Sequence, residues 1–246
     1  MSVSYNEKEK IFHLTNGRVS YVIGVLPNGQ LSQLYYGKAV KEVSGFNRYR
    51  EGAFCKAMAA FLSTDDPSFS LDTTRQEYPS FGETDLRDPA FELIFKDGSH
   101  ISEFRMAGYE ITKGKPSLPS LPASYTESDD EAETLSVTLK DALSGLSMTL
   151  LYTIFENEDI IARSVSFANE GKDGIRLTRA MSLCLDLPDS NYEMMQFSGA
   201  WARERMPYTR KLVPGFQGIG SMRGHSSSQQ NPFVILKRPE TTEDFG

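Results

Sequence analysis

Two cysteines, three histidines and one tryptophan occur in 246 residues, and each scarcity removes a class of chemistry. Cys55 and Cys184 are too few for a disulfide framework and lie far apart. They read as free thiols in a reducing compartment, Cys184 within an apolar strand. His13, His100 and His225 are isolated, and no Cys/His spacing resembles a zinc site. No metal and no cofactor is therefore assigned. No apolar run approaches the roughly 18–20 residues that a membrane span needs, and Met1-Ser2-Val3-Ser4-Tyr5-Asn6 carries no apolar signal core. The expectation is a cytoplasmic protein with no membrane partner. The net charge is −7 without a long basic block, which argues against a nucleic-acid partner. The Gly-x-Ser-x-Gly nucleophile motif is missing, as are phosphate-binding glycine loops; Gly218-x-Gly220 lacks the third glycine and the following helix. Nothing in the spacing of the 33 acidic residues marks a general acid and a nucleophile.

What the chain does have is strands. Ile11–Thr15, Val19–Val25 and Leu31–Tyr36 are separated by Asn16-Gly17 and Pro27-Asn28-Gly29, which predicts an antiparallel meander. Phe91–Phe95, Ile101–Ile111, Thr134–Leu139, Leu146–Phe155, Ile160–Ala168 and Ile175–Leu185 follow, then Tyr192–Phe197, Phe216–Met222 and Phe233–Leu236. Ser164–Phe167 and Leu177–Leu183 alternate with a period of two, which predicts one dry and one wet face. Residues 51–62 place Phe54, Ala57, Met58 and Phe61 at helical spacing. Three prolines, Pro116, Pro119 and Pro122, keep 113–122 out of a central strand. Ser128–Glu133 reads as a solvated acidic turn. The long polar stretch 69–90 reads either as an ordered connection between sheets or as a loop that reaches a ligand or another subunit. Many strands, at most one or two short helices and no βαβ alternation predict an all-β protein of large antiparallel sheets, a sandwich rather than a barrel.

The lone tryptophan lies in Ser198-Gly199-Ala200-Trp201-Ala202-Arg203-Glu204-Arg205. If this run is a strand, Trp201, Arg203 and Arg205 share one face. An aromatic ring beside guanidinium groups suits a sugar, whose C–H faces stack and whose hydroxyls accept planar donors. A half-buried Trp with its N–H satisfied accounts for the same residues, and the residues alone leave both readings open.

Five motifs carry a resemblance. They are Asp72-Thr73-x-x-Gln76-Glu77-Tyr78-Pro79-x-x-Gly82-x-x-Asp85-Leu86-Arg87-x-Pro89-Ala90, Lys113-Gly114-Lys115-Pro116, Leu121-Pro122-Ala123-x-Tyr125, Gly199-Ala200-Trp201-x-Arg203-Glu204-Arg205 and Ser226-Ser227-x-Gln229-Gln230-Asn231-Pro232-Phe233. In order, and over nearly the whole chain, they resemble bacterial α-galactosidases of the glycoside hydrolase family 36 group. Such enzymes are roughly three times as long, with an N-terminal β-supersandwich, a (β/α)₈ barrel and a C-terminal β-sandwich. The resemblance implies that residues 1–246 are the N-terminal β-supersandwich alone. The catalytic aspartates of a retaining enzyme, which cleaves terminal α-1,6-galactosides such as melibiose, raffinose and stachyose, then lie outside the chain.

The resemblance further implies a homotetramer in which this domain helps wall the active site, and it puts Trp201 at a substrate-contacting position. A second contact, an Asp in the family, falls on Glu51 in Glu51-Gly52-Ala53-Phe54, where the carboxylate is lengthened and the family's Arg is Gly; a plain helix N-terminal Glu is the other reading. The family's Arg before the Phe-Ser-Leu-Asp-Thr stretch is Pro67 here, so that contact is absent. Asp85 and Arg87 are expected to hold the long loop through a charge-assisted pair rather than touch sugar. The alternatives from other classes are a free-standing carbohydrate-binding sandwich using Trp201 as a platform, and an oligomerisation domain with Trp201 in its core.

Overall fold

The computed structural model describes residues 1–41, 45–50, 69–82, 87–120, 123–224 and 228–243. The chain forms two compact units, Met1–Asp186 and Leu187–Gly246. In the first, β1 (Ser2–Asn6), β2 (Ile11–Thr15), β3 (Val19–Val25) and β4 (Leu31–Lys38) make an antiparallel sheet in chain order. A second such sheet joins β6 (Phe104–Lys113), β7 (Ala132–Asp141), β8 (Leu146–Phe155) and β9 (Ile161–Asn169). Strands β5 (Phe91–Ile94) and β10 (Arg176–Ala180) form a separate antiparallel pair. The expected all-β architecture is present, and the helices among the described residues are two single 3₁₀ turns, Phe46–Tyr49 and Asp129–Glu131. No helix among the described residues is long and apolar enough to cross a membrane.

Alternation decides which side chains form the core. Phe12, Leu14, Tyr21 and Ile23 from the first sheet meet Leu135, Val137, Leu139, Met148, Leu150, Tyr152 and Ile154 from the second in one buried cluster. A strand with one dry face sends every second residue inward, and β7 and β8 do so in register over ten paired positions. The turns are built as their glycines require: Gly17 and Gly29 have φ of +87° and +85°, a region open to glycine at no steric cost. Asn16 ties the first of these turns to the β8–β9 connection by donating to the Phe155 and Glu158 carbonyls.

The long stretch 69–90 turns out, over its described part, to be mostly buried, with Asp72, Phe81 and Asp88 exposed. Phe69, Leu71, Thr74, Gln76, Glu77 and Tyr78 are all buried. Glu77 has no exposed surface, and its carboxylate accepts hydrogen bonds from the Tyr21 hydroxyl at 2.7 Å and the Tyr152 hydroxyl at 3.0 Å. The buried Arg163 guanidinium pairs with it at 2.6 Å and also donates to the Cys184 carbonyl at 3.2 Å. Burial pushes the Glu77 carboxyl up, against the pull of Arg163 and the two phenols. Burial likewise drives both phenols well above their ordinary range, and the Glu77 charge adds to this. Arg163 would be lowered by burial, but Glu77 and the phenols leave it raised and charged.

Beside this cluster, Arg87 pairs with Asp186 and donates to the Leu71 and Thr74 carbonyls, while Asp186 also accepts the Gln76 N–H at 3.0 Å. Arg87 does hold the loop through a charge-assisted pair, with Asp186; Asp85 lies outside the described residues.

Several strand boundaries differ from expectation. The predicted strand 175–185 stops at Ala180, because the backbone beyond it is claimed elsewhere: Met181 N–H donates to Ala90, the Tyr78 hydroxyl donates to Met181, and Arg163 takes the Cys184 carbonyl. Cys184 therefore sits in a side-chain-held segment rather than in a strand, and Leu177 and Leu183 are exposed instead of lining a dry face. Residues 216–222 form no strand; Gly215, Gly218 and Gly220 break the run, and Phe216 and Met222 are exposed. The sixth strand begins at Phe104 rather than Ile101. Strand β1, Ser2–Asn6, is not among the expected strands, although Val3 and Tyr5 alternate with polar residues and face the core. The predicted helix at 51–62 lies outside the described residues.

Arg163→Met strands the buried Glu77 charge and should cost about 3–5 kcal/mol. The double substitution with Glu77→Gln should cost clearly less, as read by urea denaturation followed by circular dichroism. A loss below about 1 kcal/mol for Arg163→Met would contradict the pairing. Burial, then the Asp186 charge, pushes the Cys184 thiol from 9.0 up to about 12. Since the thiolate is the nucleophile, its alkylation at about pH 8 should be slower in the folded chain than in urea by about a thousandfold, and in the folded chain should keep rising with pH up to about 12 instead of levelling near 9. Peptide mapping after iodoacetamide treatment separates Cys184 from Cys55.

Candidate functional site

The second unit is built on a three-stranded antiparallel sheet in the order β12-β11-β13, formed by β11 (Glu193–Ala200), β12 (Arg203–Lys211) and β13 (Gln230–Lys237). Strands β11 and β12 pair without interruption from Glu193↔Lys211 to Ser198↔Met206, and then Ala200 pairs with Arg203. Two steps along β11 thus face three along β12, which is a β-bulge. Arg205, inside the bulge, has φ of +59°.

Gly199 makes this geometry possible. A Cβ on it would lie 2.2 Å from the Arg203 carbonyl oxygen and 3.1 Å from Glu204 Cα, so any side chain would drive the strands apart. The hairpin then closes through Trp201 and Ala202 alone. Ala202 has φ of +63° while Trp201 does not have positive φ. Those are the signs of a type II turn, which favours Gly or Asn where Ala202 stands. The Ala202 N–H is donated to the Glu204 carboxylate at 2.8 Å.

The expectation of one strand face shared by Trp201, Arg203 and Arg205 is therefore corrected. Trp201 stands at the tip of a hairpin, outside the ladder, and the bulge breaks the alternation between the two arginines. The indole is 89% exposed. That removes the core reading of Trp201 for this chain: a buried Trp would be expected to find a partner for its N–H, whereas this ring projects into solvent. Backbone in sparsely populated regions tends to cluster where function requires a particular display, and here two non-glycine residues within four positions occupy it.

The structure also brings the fourth and fifth motifs together. Ser198 pairs with Gln230 across β11 and β13, Gln230 Nε2 donates to the Phe197 carbonyl at 3.4 Å, and the Phe197 and Phe233 rings stack 5.7 Å apart. The strand bearing the Gly-Ala-Trp sequence is thus braced from its other side. Lower in the same unit, Arg238 pairs with Asp189 and lies over the Tyr192 ring at 3.8 Å.

The first two motifs serve structure instead. Glu77, Tyr78 and Arg87 belong to the buried network, and Gly114, with φ of +77°, donates to Ala132 while accepting from Thr134. Glu51 lies outside the described residues. Among the described residues no group of three or more His, Cys, Asp or Glu side chains could hold a metal ion. Sequence reasoning missed Glu204. The available signal was its position two residues after the turn, within reach of the turn's own N–H.

A Gly199→Ala substitution should open the hairpin tip. Amide exchange at Ala200 to Met206 is expected to accelerate by about tenfold or more while Glu193 to Gln196 keep their protection. Unchanged exchange at the tip would contradict the close approach of the Arg203 carbonyl.

Comparison with known proteins gives a consistent result. The family described as Glycosyl hydrolase family 36 N-terminal domain matches residues 29–246. A curated relative, alpha-galactosidase AgaA of Geobacillus stearothermophilus, is 45% identical over 249 residues, covering 100% of this chain and 34% of its own length. The solved structure of alpha-galactosidase AgaB from the same organism superposes with a TM-score of 0.89 at 43% identity, over 98% of this chain and 32% of the other. A variant of AgaA solved in complex with raffinose gives 0.87 at 43% identity, over 94% and 32%. The chain spans about a third of the length of these relatives.

Proposed function

We propose that this chain, which belongs to the glycosyl hydrolase family 36 N-terminal domain family, works as the N-terminal part of a retaining α-galactosidase that cleaves terminal α-1,6-galactosides such as raffinose. The observation that carries the reading is Trp201: a single indole, 89% exposed, displayed on a braced hairpin whose backbone is held in an unfavoured shape. An exposed planar ring on a fixed support can stack on the C–H face of a sugar. The raffinose complex of the AgaA variant makes that ligand class the natural one to test.

In this reading both compact units belong to one N-terminal domain spanning 1–246, and the catalytic barrel and C-terminal sandwich are supplied by chain outside these residues. The domain forms part of the active-site wall and of the contacts of a cytoplasmic homotetramer. Glu51 is the second substrate contact, on the strength of its motif alone. The buried Glu77 takes no part in the chemistry, since its carboxylate is occupied by Arg163 and two phenols.

The test is a chimera in which this chain replaces the matching third of Geobacillus stearothermophilus AgaA. The 246-residue chain alone should release no galactose from raffinose or a nitrophenyl α-galactoside, and the chimera should turn both over. In the chimera, Trp201→Ala should lower kcat/KM on raffinose by about tenfold, the scale of one lost stacking contact. Galactose release by the chain alone, or a Trp201→Ala chimera as active as its parent, would overturn the reading.

A further inference from the structure

We propose that Asn16 is a site of spontaneous covalent modification, deamidation through a cyclic imide with Gly17, which folding suppresses and after which the β2–β3 turn loses its seat on the β8–β9 connection. Asn16 and Asn28 are the asparagines that glycine follows in this sequence. Glycine carries no Cβ, so its amide nitrogen is unhindered as a nucleophile toward the preceding side chain. The Gly17 nitrogen, having given its proton to hydroxide, bonds to Asn16 Cγ. The Cγ–Nδ2 bond breaks, and ammonia leaves with a proton taken from water. Water then opens the imide. Cleavage at the former side-chain carbonyl leaves aspartate. Cleavage at the main-chain carbonyl leaves isoaspartate, in which the backbone runs through Cβ and Cγ.

In the folded chain the attack is blocked. Asn16 is buried. Its Nδ2 donates to the Phe155 carbonyl at 3.2 Å, the Glu158 carbonyl at 3.0 Å and Asp159 Oδ1 at 3.1 Å. Its Oδ1 accepts the Arg18 and Val19 N–H groups, each at 3.0 Å, and the Gly17 N–H is donated to Thr15 Oγ1 at 3.1 Å. Turning Cγ toward the Gly17 nitrogen breaks these bonds together, so the reaction waits for the turn to open. The product cannot return to the same seat. An amide offers two N–H bonds and a carboxylate none, and the new carboxylate faces two carbonyl oxygens and the Asp159 carboxylate. Arg18, paired with Asp159 at 2.7 Å, is exposed and offsets little of this. Isoaspartate also lengthens the backbone inside the turn, next to the Thr15↔Ser20 pair that sets the β2–β3 register. Asn28 differs: it is half-buried, and its Nδ2 donates to the nearby Gln30 Oε1 at 2.8 Å rather than to a distant segment. Unfolding excursions thus turn into permanent loss at Asn16, which makes this turn a kinetic limit on the lifetime of the fold.

Trypsin separates the two sites, Asn16 in the peptide Ile11–Arg18 and Asn28 in the peptide Val19–Lys38. At about pH 8, conversion of Ile11–Arg18 from amide to acid, followed by mass spectrometry, should be slower in the native chain than in urea by about a hundredfold or more. Chain aged in urea is then diluted to just below the parent's unfolding midpoint and given a brief protease pulse, which removes unfolded molecules. The survivors should be depleted about tenfold in acid at Asn16, while acid at Asn28 stays within about twofold of the starting mixture. Asn16→Asp, which installs one product directly, should unfold at lower urea than the parent. Equal rates in the native chain and in urea overturn the proposal. So do survivors as rich in acid at Asn16 as at Asn28, or an Asn16→Asp chain with the parent's midpoint.

Discussion

A carboxylate with no access to water is tolerable only if its surroundings replace the hydration it has lost, and the larger unit of this protein is assembled around that requirement. Glu77 comes from a long connection, Tyr21 from the first sheet, and Tyr152 and Arg163 from the second. Each donor is itself buried, so each depends on the others for a partner. Arg163 passes the constraint on by taking the Cys184 carbonyl, and Asp186, two residues further, fastens Arg87 and the Gln76 backbone. One ion pair therefore registers a loop, two sheets and the end of the unit.

A network of this kind specifies arrangement more than it adds stability. Two charges and two phenols out of water gain little over a well-packed apolar core, but they tolerate only one set of neighbours. The polar stretch 69–82 carries too few large apolar residues to be placed by hydrophobic burial alone. Hydrogen bonds made by Glu77, Gln76 and Thr74 fix what burial cannot.

Much of the fold was legible because alternation and turn chemistry agree locally. Leu146–Phe155 was read to the residue, since its inward side chains are large and apolar and its ends are a glycine turn and an acidic loop. Met181–Leu185 has the same alternation and forms no strand, because its carbonyls are taken by side chains 103 and 21 residues away, Tyr78 and Arg163. No local pattern encodes such contacts. Likewise Glu77 reads as one more acidic loop residue until Arg163 is seen beside it. At the candidate site, the sequence singles out Gly199-Ala200-Trp201 but does not show its shape. The period-two reading of Trp201, Arg203 and Arg205 fails because Gly199 permits a bulge and Ala202 adopts a φ that alanine rarely takes. Tertiary geometry overrode propensity there, as it tends to at sites kept for function.

The central claim is that a single tryptophan is held out in water at the tip of a hairpin. Its emission spectrum and its quenching by acrylamide in the native chain test this most directly. Long-wavelength emission, quenched nearly as fast as free indole and unchanged by mild denaturant, is the predicted result. Short-wavelength emission, shielded from acrylamide until the chain unfolds, would return Trp201 to a core and contradict the account.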